Sequence, residues 1–161
     1  MKQSPRPYRK RIRIRFAHTD PAGIVFFPRY FEMIQTATED WFNEALDIDY
    51  ANYVLNDGNG LPTVHTECQF MRPCRLGEVL EMEVRVTRLG GASLELAFFG
   101  LVDEELRMRG RSVLVQTDLQ ASKPVRFTGR LRSLLEGYRE LSGATPAPGG
   151  DAPSRPADRR S

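Results

Sequence analysis

The chain has 161 residues with 23 basic and 21 acidic side chains, a formal net charge of +2. That length suits one domain with a sizeable core, and the near balance of charge carries no strong nucleic-acid signal. Two cysteines, Cys68 and Cys74, are too few for a disulfide scaffold, and no run approaches the roughly 18 apolar residues of a membrane span.

The N-terminus is basic but has no apolar stretch after it, so it does not read as a secretory signal. A reduced, cytoplasmic setting is the simplest reading of the two thiols. Residues 1–8 hold two prolines and read as a flexible basic arm. Seven of the first 15 residues are basic and none is acidic. Such a run serves either as a solvated face or as an attraction for a phosphate-bearing ligand.

From Arg9 to Phe16 the pattern alternates, with Ile12, Ile14 and Phe16 on one side and Arg11, Arg13 and Arg15 on the other. This predicts a half-buried strand with a basic outer face. Pro21 then pushes Asp20 towards extended backbone, and Gly23 supplies the positive φ that a sharp reversal needs. Pro28 stands where a helix prefers its first residue. Phe31, Ile34, Thr38, Trp41 and Ala45 follow at three- and four-residue steps, one stripe of a long helix to Leu46. A short second helix fits Asp47 to Asn59, ended by the turn cluster 56–60.

The rest of the chain reads mainly as strands. Leu61 to Met71 alternates, Val79 to Leu89 does so over a longer run, and Gly90-Gly91 signals a hairpin into Ser93 to Val102. Leu106 to Leu119 is a further strand, with Met108, Gly110, Ser112, Leu114 and Gln116 on one face. Thr128 is placed to cap a last helix through Leu141, whose apolar side is Leu131, Leu134, Leu135 and Tyr138. From 143 to 161 Pro, Ala, Gly, Ser and Asp dominate, which predicts a disordered tail. One long helix after the first strand, followed by a meander, is an α+β pattern: an antiparallel sheet packed on that helix.

Asp20 is therefore an acid in a tight turn beside the start of the longest helix. Helix starts leave N–H groups unpaired and carry partial positive charge. An acid next to such donors can attack a carbonyl, or help water attack it, while the donors polarise its oxygen.

Thr19-Asp20-Pro21-Ala22-Gly23-Ile24-Val25-Phe26-Phe27-Pro28-Arg29-Tyr30, set ahead of a long helix, resembles the signature of the 4-hydroxybenzoyl-CoA thioesterase family of hotdog-fold proteins. Phe70-Met71-Arg72-Pro73 and Leu76-Gly77-Glu78 resemble that family too. The likeness covers roughly 9–140, and it implies a hotdog domain over 9–142, a sheet wrapped around the central helix. It also implies homodimers formed by edge-strand pairing, often assembled to homotetramers, with active sites at the dimer interface. The implied reaction is hydrolysis of an acyl-CoA thioester, with no metal and no cofactor.

By that resemblance Asp20 is the catalytic acid, as nucleophile or general base, and the backbone N–H of Phe27 polarises the thioester carbonyl. Gly23 lets the turn close, and Phe26, Pro28 and Tyr30 line the substrate side. Where some members carry a basic cluster for the CoA phosphates, this chain offers Arg88, with Arg72 and Arg126 as other phosphate partners.

Each other residue has a plainer reading beside the sharp one. His18 either tunes Asp20 or orients substrate, or is a partly buried structural histidine. His65 lies near where family members line the acyl pocket, or is simply a strand residue. Cys68 and His65, three apart, fall on opposite faces of a flat strand, which argues against a catalytic pair. Trp41 reads as core, and Glu39 and Asp40 as surface or interface acids. The resemblance favours an aromatic acyl group such as hydroxybenzoyl. A short aliphatic acyl-CoA, or an acyl-CoA-binding protein without turnover, are the alternatives. A nucleic-acid binder ranks last, because aromatic interleaving in the basic arm is limited to Tyr8.

Overall fold

A computed structural model describes residues 5–149. Its elements in chain order are β1 (Arg9–Arg13), α1 (Pro28–Asp40), α2 (Tyr50–Leu55), β2 (Asn59–Gly60), β3 (Thr63–Phe70), β4 (Val79–Leu89), β5 (Ser93–Val102), β6 (Glu105–Val115), β7 (Thr117–Asp118), β8 (Lys123–Pro124) and α3 (Gly129–Ala144). Five strands form one antiparallel sheet in the order β1-β4-β5-β6-β3. β2, β7 and β8 make a small second sheet.

Helix α1 lies in the concave face of the large sheet. Tyr30, Met33, Ile34, Ala37 and Thr38 are its buried residues. Ile34 reaches β6 so closely that a Cβ on Gly110 would sit 3.2 Å from its Cδ1. Leu80, Met82, Val84, Leu94, Leu96, Phe98, Met108 and Leu114 complete the core, as strand alternation requires. This is the hotdog arrangement, a sheet wrapped around one long helix.

Two local predictions need correction. The first strand stops at Arg13 rather than Phe16. A 3-10 turn over Phe16–His18 follows, and Phe16 points out, 81% exposed. The helical stripe also drifts. Residues Trp41–Ala45 form a π-turn, in which the Leu46 N–H donates to the Trp41 carbonyl. The extra residue per turn rotates the face, so Trp41, Phe42 and Leu46 are buried while Ala45 is exposed. Thr128 does occupy the N-cap of α3, but its side chain makes no capping hydrogen bond.

The two edges of the large sheet differ. Beyond the end of β1, the backbone of β4 is covered by the chain's own termini. Val84 N–H donates to the Tyr8 carbonyl at 2.9 Å. The Tyr138 hydroxyl donates to Val84 O at 2.8 Å, and Ser142 Oγ accepts from Val86 N–H at 3.0 Å. Residues 5–8 of the expected arm are thus partly docked, with Pro7 buried; residues 1–4 lie outside the described ones. At the other edge β3 is almost wholly exposed, and no strand pairs with its outer side among the described residues.

The tail expected from 143 on also starts in contact. The buried Arg85 pairs with Glu83 at 2.6 Å and donates to the carbonyls of Ser142, Thr145 and Pro146. Gly149 then lies against Leu106 on the outer face of the sheet. The remainder of that expectation, 150–161, lies outside the described residues. Among the described residues no helix is long and apolar enough to cross a membrane.

Candidate active site

Three short segments lie side by side at the end of the sheet where β4 begins. Ile14 exchanges hydrogen bonds with Gly77 and Glu78. Leu76 N–H donates to Gly23 O, and Val25 N–H donates to Cys74 O. Ile14, Val25 and Cys74 point inward and are buried. The result is a rigid base from which residues 19–23 project as a tight bend.

Asp20 sits in that bend. Its N–H donates to Ile24 O, and its carbonyl accepts from Gly23 N–H. Its Oδ1 accepts the Ala22 N–H at 2.9 Å, an Asx-type turn that leaves Oδ2 without a protein donor among the described residues. Gly23 adopts φ +76°, a conformation that glycine takes without steric cost.

His18 braces the same bend. Its carbonyl accepts from Phe26 N–H. Its Nδ1 accepts the Arg15 N–H at 2.9 Å, which places the ring proton of the neutral form on Nε2.

The start of α1 is depleted of free donors except at one residue. Val25 N–H is taken by Cys74 O and Phe26 N–H by His18 O. Arg29 N–H donates to Phe26 O and Tyr30 N–H to Phe27 O. Pro28, the first helical residue, has no N–H. From 25 to 30 the Phe27 N–H alone has no acceptor among the described residues.

Tyr30 anchors the helix start. Its side chain is buried, and its hydroxyl accepts the Cys74 N–H at 3.2 Å. Burial pushes its phenol above the ordinary range. Around it the apolar rings are open to solvent. Phe26 and Phe27 are more than half exposed, and their centroids are 5.8 Å apart. Phe70, at the end of β3, packs on Tyr30 at 5.1 Å and edge-on to Phe27 at 6.5 Å. A contiguous exposed patch of this kind marks a binding surface. Phe70 is the residue that sequence reading missed. Alternation places it on the inward face of β3, but not at the uncovered end of an edge strand.

Other sequence candidates lie elsewhere. His65 pairs with Val113 and sits on the outer face, with its Nε2 3.1 Å from Glu67 Oε2. Cys68 faces the helix opposite Gly110, so the two side chains are on opposite faces as expected. Burial pushes the Cys68 thiol up to about 11. Arg72 is already paired with Glu105 at 3.3 Å. Arg88 is ten residues along β4 from Glu78, roughly 30 Å from the bend within one chain, and Arg126 lies at that same far end beside Gly91. The expectation that Arg88 and Arg126 serve the Asp20 site does not fit within a single chain. Glu39 and Asp40 are roughly 17 Å up the helix from Pro28, with Asp40 ion-paired to Lys10.

The profile of the Thioesterase-like superfamily matches residues 14–135, and the chain belongs to that superfamily. It is 37% identical over 78 residues to a 1,4-dihydroxy-2-naphthoyl-CoA hydrolase of Synechococcus elongatus, across 48% of this chain and 57% of that protein. The chain thus spans little more than half the length of that curated relative. Among solved structures, a thioesterase superfamily protein from Jannaschia sp. CCS1 superposes with a TM-score of 0.77 at 23% identity, over 85% of this chain and 98% of that one. A 1,4-dihydroxy-2-naphthoyl-CoA thioesterase from Synechocystis gives 0.72 at 21% identity, over 80% and 94%. These likenesses establish the fold.

Proposed function

We propose that the chain is an acyl-CoA thioesterase acting on an aromatic acyl group. The observation that carries the reading is the Phe27 N–H, without an acceptor among the described residues and next in the chain to Phe26, whose own N–H is tied to His18 at the base of the Asp20 bend, where one carboxylate oxygen is uncommitted. A thioester carbonyl placed at that amide has its oxygen polarised by the donor and by the helix start. Asp20 takes a proton from the water that attacks the carbonyl carbon, or attacks that carbon itself to form a mixed anhydride that water then hydrolyses, restoring the carboxylate. The carbon–sulfur bond breaks, and the CoA thiolate leaves and takes up a proton. The products are the free acid and CoA. Thiolate is a good leaving group, so the reaction needs no strong general acid.

Two features favour an aromatic acyl chain. Phe26, Phe27 and Phe70 present open ring faces around the helix start, and a relative 37% identical over its matched part is named for a dihydroxynaphthoyl ester. Aromatic pairs of suitable geometry contribute about 1 kcal/mol beyond area burial. The uncovered edge of β3, which ends at Phe70, supports a homodimer formed by pairing two such strands, with each site completed at the junction. By the family resemblance two such dimers join into a homotetramer.

The test is Asp20→Asn. Turnover of benzoyl-CoA should fall at least about a hundredfold, some 3 kcal/mol in barrier, while the melting curve stays within a few degrees of wild type. Wild-type turnover by that variant would remove Asp20 from the chemistry.

A further inference from the structure

Three exposed arginines without ion-pair partners among the described residues stand at the rim of the bend, at the opposite end of β4 from the unpaired Arg88 and Arg126. Arg13, Arg15 and Arg75 are all exposed, and among the described residues none is in an ion pair, whereas Arg9, Arg11, Arg29, Arg72, Arg107 and Arg111 each are.

Backbone pairing brings the three together. Ile14 exchanges hydrogen bonds with Gly77 and Glu78, so Arg13 and Arg15 flank the strand position that faces this loop. Arg13 Nη1 reaches Gly77 O at 3.2 Å. Arg75 is bridged to Ile24, inside the bend that carries Asp20. Ile14 and Cys74 point into the core, so their neighbours Arg13, Arg15 and Arg75 point out. The nearest loop carboxylate, Glu78, has its charge engaged by Arg107 at 2.9 Å.

Three cations beside one acid form a positive rim, and guanidinium forks match phosphate oxygens two at a time. Resting on the thioesterase reading, we infer that Arg13, Arg15 and Arg75 bind the phosphates of the CoA nucleotide. The pantetheine arm spans from this rim to the thioester at Phe27. The assignment moves phosphate recognition from Arg72 and Arg88 to residues of the same loops that hold the catalytic acid.

The experiment compares benzoyl-CoA with benzoyl-pantetheine, the same thioester without nucleotide or phosphate, in wild type and in an Arg15→Gln/Arg75→Gln double variant. KM for benzoyl-CoA should rise about tenfold or more at nearly constant kcat, and the rise should be absent for the pantetheine ester. In wild type the same KM should climb as salt is raised to about 0.3 M, and the double variant should lose that dependence. An equal change for both esters, or no change for either, overturns the assignment. Preference for a benzoyl group on an acyl carrier protein, with the same arginine dependence, overturns it in favour of an acidic protein surface. A wild type inert on both small thioesters sinks the thioesterase reading itself, a result distinct from the others.

Discussion

The Tyr30 hydroxyl accepts the backbone N–H of Cys74 at 3.2 Å, and so fastens the first turn of α1 to the loop behind Asp20. Both halves of the proposed site depend on that link, because Cys74 O in turn holds Val25. Tyr30→Phe keeps the ring packing and deletes the bond, leaving a buried amide unpaired. The expected loss is about 1–3 kcal/mol in denaturant unfolding, with turnover lowered several-fold.

Gly23→Ala isolates backbone cost from packing. An added Cβ meets nothing within 4 Å, but φ is +76°. The penalty should be about 1–2 kcal/mol. If the strain is relieved by opening the bend, kcat falls while global melting moves little; steady-state kinetics beside calorimetry separates the two.

Cys68 is predicted to be inert. With its thiol near 11, alkylation at mild alkaline pH should be about a hundredfold slower than for a free cysteine, and Cys68→Ser should keep wild-type turnover. The linkage sign follows from the folded state holding this proton more tightly than the unfolded one. The stabilisation is complete below the ordinary thiol range and is lost as pH rises through about 11. Burial raises Tyr30 and Tyr53 in the same direction. Stability should therefore decline on the alkaline side, measurable as a falling midpoint in urea.

Phe70→Leu tests the ring wall. The ratio of benzoyl-CoA to hexanoyl-CoA specificity constants should drop about three- to tenfold, the span of one aromatic contact. An unchanged ratio would place the acyl group elsewhere.

Pairing through β3 has its own signature. Backbone N–H groups of 64–70 that point away from β6 have no acceptor strand among the described residues of one chain. Hydrogen exchange should nonetheless find alternate amides there protected, and sedimentation should give a particle of at least two chains. Rapid exchange along the whole strand would remove the dimer.

The elements closest to local rules were readable from sequence. The alternation in β4, β5 and β6 holds apart from bulges at Val86/Arg88 and Gly100/Leu101, because strands inside a sheet have both neighbours to enforce it. The Asp20 bend was legible because Pro21 and Gly23 act on their own backbone. What failed depends on distant partners. Phe16 continued an apolar pattern but has no core to enter. The π-turn after Asp40 leaves no mark in composition. Phe70 reads as an ordinary inward strand residue until β3 is known to be an edge. Arg72 and Arg75 are alike as letters; only the fold gives one of them Glu105.

The unequal edges of the sheet have a consequence for polymerisation. Helix α3 and Tyr8 seal the stretch of β4 that runs past β1 with their own hydroxyl and carbonyl groups, so that edge offers only the five-residue β1 to an incoming strand, whereas β3 offers eight residues. Two chains that join through β3 consume that edge in each other. Two long exposed strands, one at each edge, would template fibres; here α3 covers the β4 backbone beyond β1 and leaves the short β1 as the only other outer strand of the large sheet among the described residues.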